Sequence, residues 1–143
     1  MSRDRRAVHD AYRRTSYRAM LGSGARVELR IGEVCAVLDA ELRARGLSTW
    51  AYVTAANPHA VQLADAENAA RHAKLARALE PWHCCEGESM ADDGAWPAER
   101  SLLVLGIAES EAARIAREFD QEAIVAGALG QPARLVLCGG DAR

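Results

Sequence analysis

Asn57, Asn68 and Arg71 stand where an extended run gives way to a helix, and their types suit the recognition of a small anion. Asn57 closes the run Trp50-Ala-Tyr-Val-Thr-Ala-Ala-Asn57-Pro58. Pro58 disfavours helical backbone at Asn57 and supplies no backbone donor, so the chain must turn there with an amide side chain at the strand's end. Asn68 and Arg71 are three apart on one helical face, beside a helix start, where orphan N–H groups favour negative charge. The purely local alternative has Asn57 ordering its own turn, Asp65 capping the helix, and Arg71 pairing with Glu67 or Asp65.

A second group lies in Asp92-Asp-Gly-Ala-Trp96-Pro-Ala-Glu99-Arg-Ser101. A tryptophan in a polar stretch either folds back onto the domain or lines a groove. Glu99 directly precedes a strongly apolar strand, a position from which a carboxylate can act as acceptor or base, or form a plain salt bridge. Other motifs carry less. His83-Cys84-Cys85 offers three metal-capable side chains, but neighbours in a strand point to opposite faces and cannot share one ion, so no metal site is assigned. Gly22-Ser-Gly24 lacks the Lys-Ser/Thr ending of a phosphate loop. No Gly-x-Ser-x-Gly elbow occurs, and Asp92-Asp93 lacks the spaced acidic pattern of a calcium loop. No cofactor is implied.

The elements that must position these residues follow from periodicity. Helices are expected over 4–15, 34–45 (inward Val34, Val37, Leu38, Leu42; C′ glycine Gly46), 65–79 (inward Leu63, Ala66, Ala70, Ala73) and 109–119 (inward Ala112, Ile115, Ala116, Phe119). Strands are expected at 17–21, 26–31, 50–55, 82–86, 101–107, 123–126 and 134–138, with hairpins at Gly22–Gly24 and Gly127–Pro132. The continuous apolar run Ser101–Ile107 suits a central strand covered on both faces. Residues 87–100 read as a long polar loop. The interspersed hairpins imply an α+β single domain over 1–143 with frayed ends at 1–3 and 139–143. Its sheet is mixed or mainly antiparallel, with about 5–7 strands and about four helices.

Composition narrows the class. The chain has 143 residues, enough for one core without metal or disulfide support. Residues 1–30 carry eight Arg against Asp4, Asp10 and Glu28, and Lys74 is the only lysine. An Arg-rich arm can touch phosphate, but a charge run on a helix is usually its wet face. No stretch approaches the roughly 20 apolar residues of a membrane span. Without an apolar signal run, a cytoplasmic location with free thiols is expected.

Several segments together resemble a bacterial family, domain of unknown function family 3293. They are Ala11-Tyr12-Arg-Arg-Thr15 with Tyr17, Thr54-Ala-x-Asn57-Pro58, Glu67-Asn68 with Arg71 and Leu75, Trp96-Pro-x-Glu99, Ser101-Leu-Leu-Val-Leu-Gly106, and Phe119-x-Gln121-x-Ala123. Ala64 stands where the family pattern has a capping Ser, Ala98 where it has the first Glu of a pair, and Asp120 where it has Gly. The resemblance implies no particular activity, but it points to the same polar residues. The expectation is a small-ligand-binding domain, for a nucleotide or other anionic metabolite. In it Asn57, Asn68, Arg71, Trp96 and Gln121 bind, and Glu99 is the candidate acceptor or base; whether it is an enzyme is left open. The alternative is a protein-interaction or regulatory module. Nucleic-acid binding through Arg3, Arg5, Arg6, Arg13 and Arg14 is the weakest reading.

Overall fold

The computed structural model describes residues 5–58 and 61–139. Of the ends expected to fray, all but Gly139 lie outside them. The order is α1 (Arg5–Arg13), β1 (Thr15–Met20), β2 (Arg26–Leu29), α2 (Ala36–Arg45), β3 (Thr49–Val53), α3 (Asp65–Ala78), β4 (His83–Ala91), β5 (Glu99–Leu105), α4 (Glu109–Glu118), β6 (Ala123–Ala128) and β7 (Arg134–Leu137). This is the succession of helices and strands that the periodicity implies. The seven strands form one sheet in the order β2-β1-β4-β5-β3-β6-β7. Every pairing between named strands is antiparallel. The sheet curls until its two edges touch, through an isolated parallel bridge between Ile31 and Ala133. Gly32 N–H donates to the Ala133 carbonyl at 2.8 Å, and Ala133 N–H to that of Glu33 at 3.0 Å.

β5 lies at the centre and explains the two cores. Its side chains alternate, so Leu103 and Leu105 enter one core while Leu102 and Val104 enter the other. On the inner, concave face they join Tyr17, Leu29, Trp50, Tyr52 and Val125 beneath Leu38 and Leu42 of α2. On the outer face they join Ala51, Val53, Ile124 and Ala126 beneath Leu75 of α3 and Ala112, Ile115 and Ala116 of α4. Each fully buried leucine of this kind contributes ~1.5–3 kcal/mol relative to exposure. Gly46 ends α2 in the left-handed conformation at φ 71°, as a C′ glycine should. Among the described residues no helix is long and apolar enough to cross a membrane.

Three details differ from the expectations. β4 runs to Ala91 and β5 begins at Glu99, so the polar loop shrinks to 92–98. The far half of β4 lacks an apolar signal because its outer face, with Glu88 and Met90, is exposed. Glu88 instead stands opposite Arg18 on one side and Arg100 on the other. α2 begins at Ala36, so Val34 precedes it; Val34 and Val37 are exposed while Leu38 and Leu42 are buried. In α3 the alanines at 66, 70 and 73 face outward, and the inward face is Asn68, Arg71, His72, Leu75 and Leu79. Alanine gains little from burial, so an alanine stripe does not fix which side of a helix turns in.

Trp50 lies across Gly127 on the neighbouring strand, and a Cβ at Gly127 would sit 2.5 Å from the indole ring. Gly127→Ala is expected to lower stability by about 1–3 kcal/mol through overpacking. Urea denaturation measures it, and an unchanged midpoint would show that the ring has room to move.

Candidate functional site

β3 leaves the sheet at Val53 but stays buried. Ala55 is fully covered, and Ala56 and Asn57 are each 6% exposed. Buried backbone groups without a strand partner must find other ones. Ala56 N–H donates to the Thr54 hydroxyl at 3.0 Å. The Ala55 carbonyl accepts from Arg71 Nε at 2.6 Å, and the Ala56 carbonyl from Gln121 Nε2 at 3.1 Å. Asn57 N–H donates to Asn68 Oδ1 at 3.0 Å, and Asn68 Nδ2 returns a bond to Asn57 Oδ1 at 2.9 Å. Arg71 also donates through Nη2 to the Phe119 carbonyl, which ties α3 to the end of α4. Asn57 adopts a left-handed backbone at φ 48°, not the extended conformation that a following proline favours. The reciprocal bonds to Asn68, and Leu63 N–H donating to Asn57 Oδ1 at 2.8 Å, hold it there.

The Asn57 amide also reaches forward. Its Nδ2 donates to Glu99 Oε2 at 2.8 Å, and Trp96 Nε1 donates to the same oxygen at 2.7 Å. Asn57, Trp96 and Glu99 line a cavity of about 300 Å³. The walls come from adjacent strand ends, with Thr15 and Tyr17 of β1, Ser89 and Ala91 of β4, Glu99 and Ser101 of β5, Tyr52 of β3 and Ala123 and Val125 of β6. Ala11 and Tyr12 of α1 line it too, as do Thr54, Asn57, Trp96, Pro97, Gln121 and Glu122. A cleft of this size, mostly apolar with a few fixed polar groups, has the character of a small-molecule site.

Three tyrosines form the aromatic wall. Tyr17 stacks on Tyr12 with centroids 6.5 Å apart and meets Tyr52 edge-on at 5.3 Å. Both inner hydroxyls are engaged, Tyr17 donating to the Tyr12 carbonyl at 3.0 Å and Tyr52 to that of Arg18 at 2.7 Å. The second bond spans from β3 to β1 and needs Gly87 of β4, where a Cβ would fall 2.9 Å from the Tyr52 oxygen. Burial, assisted by the charge of neighbours including Glu99, raises the pKa of both phenols well above the ordinary value, so they remain neutral.

The sequence profile of a family described as protein of unknown function (DUF3293) matches residues 53–124. That is half of the chain. The protein belongs to the DUF3293 family. Neither the curated proteins nor the solved structures supply a significant match.

All six polar residues singled out from the sequence fall within the matched segment and belong to one connected network. Asn57, Trp96, Glu99 and Gln121 line the cavity. Asn68 and Arg71 stand behind it, bonded to the backbone that forms its floor. None of the residues 64–68 at the start of α3 lines the cavity. Ala64 occupies the N-cap, and Glu67 Oε1 accepts from its N–H at 3.2 Å, half of a capping box that alanine cannot reciprocate. Tyr12, Thr15, Tyr17, Tyr52 and Ser89 are lining residues that periodicity did not reveal, because an inward tyrosine reads as core. The resemblance segment at 11–17 was the available signal for the first three.

Cys85 packs in the inner core and Cys84 against the outer one, as adjacent strand residues must. Burial pushes the Cys84 and Cys138 thiols up to about 11. At pH 8 only about one such thiol in a thousand is thiolate, against roughly a quarter for an ordinary cysteine. Both should therefore react with an aromatic disulfide reagent far more slowly in the native state than in urea, the rate rising tenfold per pH unit.

Arg71→Ala removes a charged donor from two buried carbonyls and is expected to destabilise by about 2–4 kcal/mol. Denaturant titration gives the loss. Arg71→Lys cannot span both carbonyls and should recover less than half of it, whereas full recovery would mean that charge alone matters there.

Proposed function

We propose that this domain binds a small ligand in the cavity between α1 and the ends of β1, β4, β5, β3 and β6. The observation that carries this reading is the convergence on one cleft of residues from distant parts of the chain. Tyr12 and Tyr17 come from its start, Asn57 from the end of β3, Trp96 and Glu99 from the loop before β5, and Gln121 from the turn after α4. The floor beneath them is fixed by bonds from Asn68 and Arg71, so the lining is organised before any ligand arrives, which lowers the ordering cost of binding. Glu99 is the acceptor, or base, that the ligand would meet. The reducing cytoplasm is proposed as its compartment, since all four cysteines are free thiols.

A thermal-shift library of nucleotides, amino acids, amines, alcohols and organic acids tests the proposal. A true ligand at 100 times its Kd should stabilise the protein by ~2.7 kcal/mol. Ala91→Trp, which fills the cavity from the end of β4, should abolish the shift. Hits that survive Ala91→Trp would locate binding elsewhere and sink the reading.

A further inference from the structure

Among the described residues, the charged side chains that line the cavity are of one sign. Among the described lining residues are two carboxylates, Glu99 and Glu122, and no Arg, Lys or His. Arg71 is turned away and bonded to the Ala55 and Phe119 carbonyls. Arg18 lies on the opposite face of the sheet, against Ser16 and Met90. An anion placed beside Glu99 would face its carboxylate and, among the described lining residues, no cation.

Four aromatic side chains, Tyr12, Tyr17, Tyr52 and Trp96, are among the lining residues. Tyr17 and Tyr52 meet at 71°, and Tyr12 stacks beside Tyr17 at 20°. Because the Tyr17 and Tyr52 hydroxyls are engaged by backbone carbonyls, these side chains have chiefly ring surface left to offer. Ring faces carry negative electrostatic potential and attract ammonium groups, most strongly where water is partly excluded. Trp96 adds an indole whose N–H is likewise engaged, on Glu99 Oε2. The Glu99 carboxylate is held by two donors on one oxygen, so its charge is fixed in place.

We infer that the ligand of this cavity is a small organic cation, an amine or methylated ammonium seated between the tyrosine rings and Glu99. This rests on the small-ligand reading above and reverses the sign of charge expected from the sequence. The preference comes from a fixed carboxylate and π surfaces, so a neutral molecule of the same shape should bind less well.

Titration of the ¹⁵N-labelled full chain with matched probes decides it, read at the Trp96 indole N–H and the Thr54 and Ser101 amides. The probes are choline and benzyltrimethylammonium, the neutral choline isostere 3,3-dimethylbutan-1-ol, and AMP with inorganic phosphate as anions. Saturable shifts with a cation at least tenfold tighter than with the isostere are expected. In Glu99→Gln, whose amide oxygen can still accept from Asn57 and Trp96, that ratio should fall towards one. The ratio is taken within one protein, so a modest loss of stability does not affect it, and the wild-type comparison stands without the variant. If the isostere or AMP binds at these residues as tightly as the cations, the charge assignment is overturned while the cavity remains a ligand site. If no probe gives a saturable shift, the cation inference falls. The library screen with its Ala91→Trp control then judges the binding reading independently.

Discussion

The structure depends on what becomes of the backbone at 54–57. A strand that leaves its sheet while still buried carries peptide groups with neither strand partners nor water, and each such group left unpaired costs about 1–3 kcal/mol. Side chains from elsewhere meet the need here. Arg71 and Gln121 each serve a carbonyl from beyond the strand, and Asn68 serves Asn57 at both its N–H and its side chain. The Phe119 carbonyl at the end of α4 is drawn into the same set, accepting from both Arg71 and Gln121.

That requirement shapes α3. A helix covering a sheet normally turns its apolar stripe inward, yet the first half of α3 turns in Asn68, Arg71 and His72, and only its second half offers Leu75, with Leu79 just beyond. The polar half lies over the strand end and the apolar half over the outer core, against Leu102 and Val104. The alanines at 66, 70 and 73 are left facing outward. A sequence pattern based on hydrophobicity reads such a helix backwards, because its inward face is selected by hydrogen-bonding demand rather than by transfer from water.

The fold was otherwise largely legible, and the reasons differ by element. The run at 101–105 announces a central strand because both its faces are covered, and Gly46 announces a helix end because its backbone is left-handed. β4 was only half visible, since residues 87–91 alternate between the cavity side, with Gly87, Ser89 and Ala91, and an uncovered face bearing Glu88 and Met90. Neither environment asks for large apolar side chains. The candidate site was legible as a set of residues but not as a division of labour. Spacing places Asn68 and Arg71 on one face of a helix, and only coordinates show that this face meets backbone carbonyls. Arg71 was counted as an available cation, whereas its bonds go to the Ala55 and Phe119 carbonyls.

Among the described residues, two that are not glycine take left-handed backbone, Asn57 at φ 48° and Asp120 at φ 60°. Both sit at the junction just described, one ending β3 and the other following α4. Asp120 stands where the family resemblance places glycine, and the position shows why glycine suits it. Asp120 N–H donates to the Arg117 carbonyl and Gln121 N–H to that of Ala116, a helix-ending pattern built on a left-handed residue. A side chain there costs on the order of 1 kcal/mol, which the surrounding bonds must offset. The turn it makes is what sends Gln121 back to the Ala56 carbonyl and leads Glu122 and Ala123 into the cavity wall. Asn57, in its left-handed conformation, likewise donates its amide to Glu99 in the cavity wall. The two strained positions therefore mark where satisfying the buried backbone and shaping the cleft become one constraint, and a substitution that relaxed either would move the walls as well as the floor.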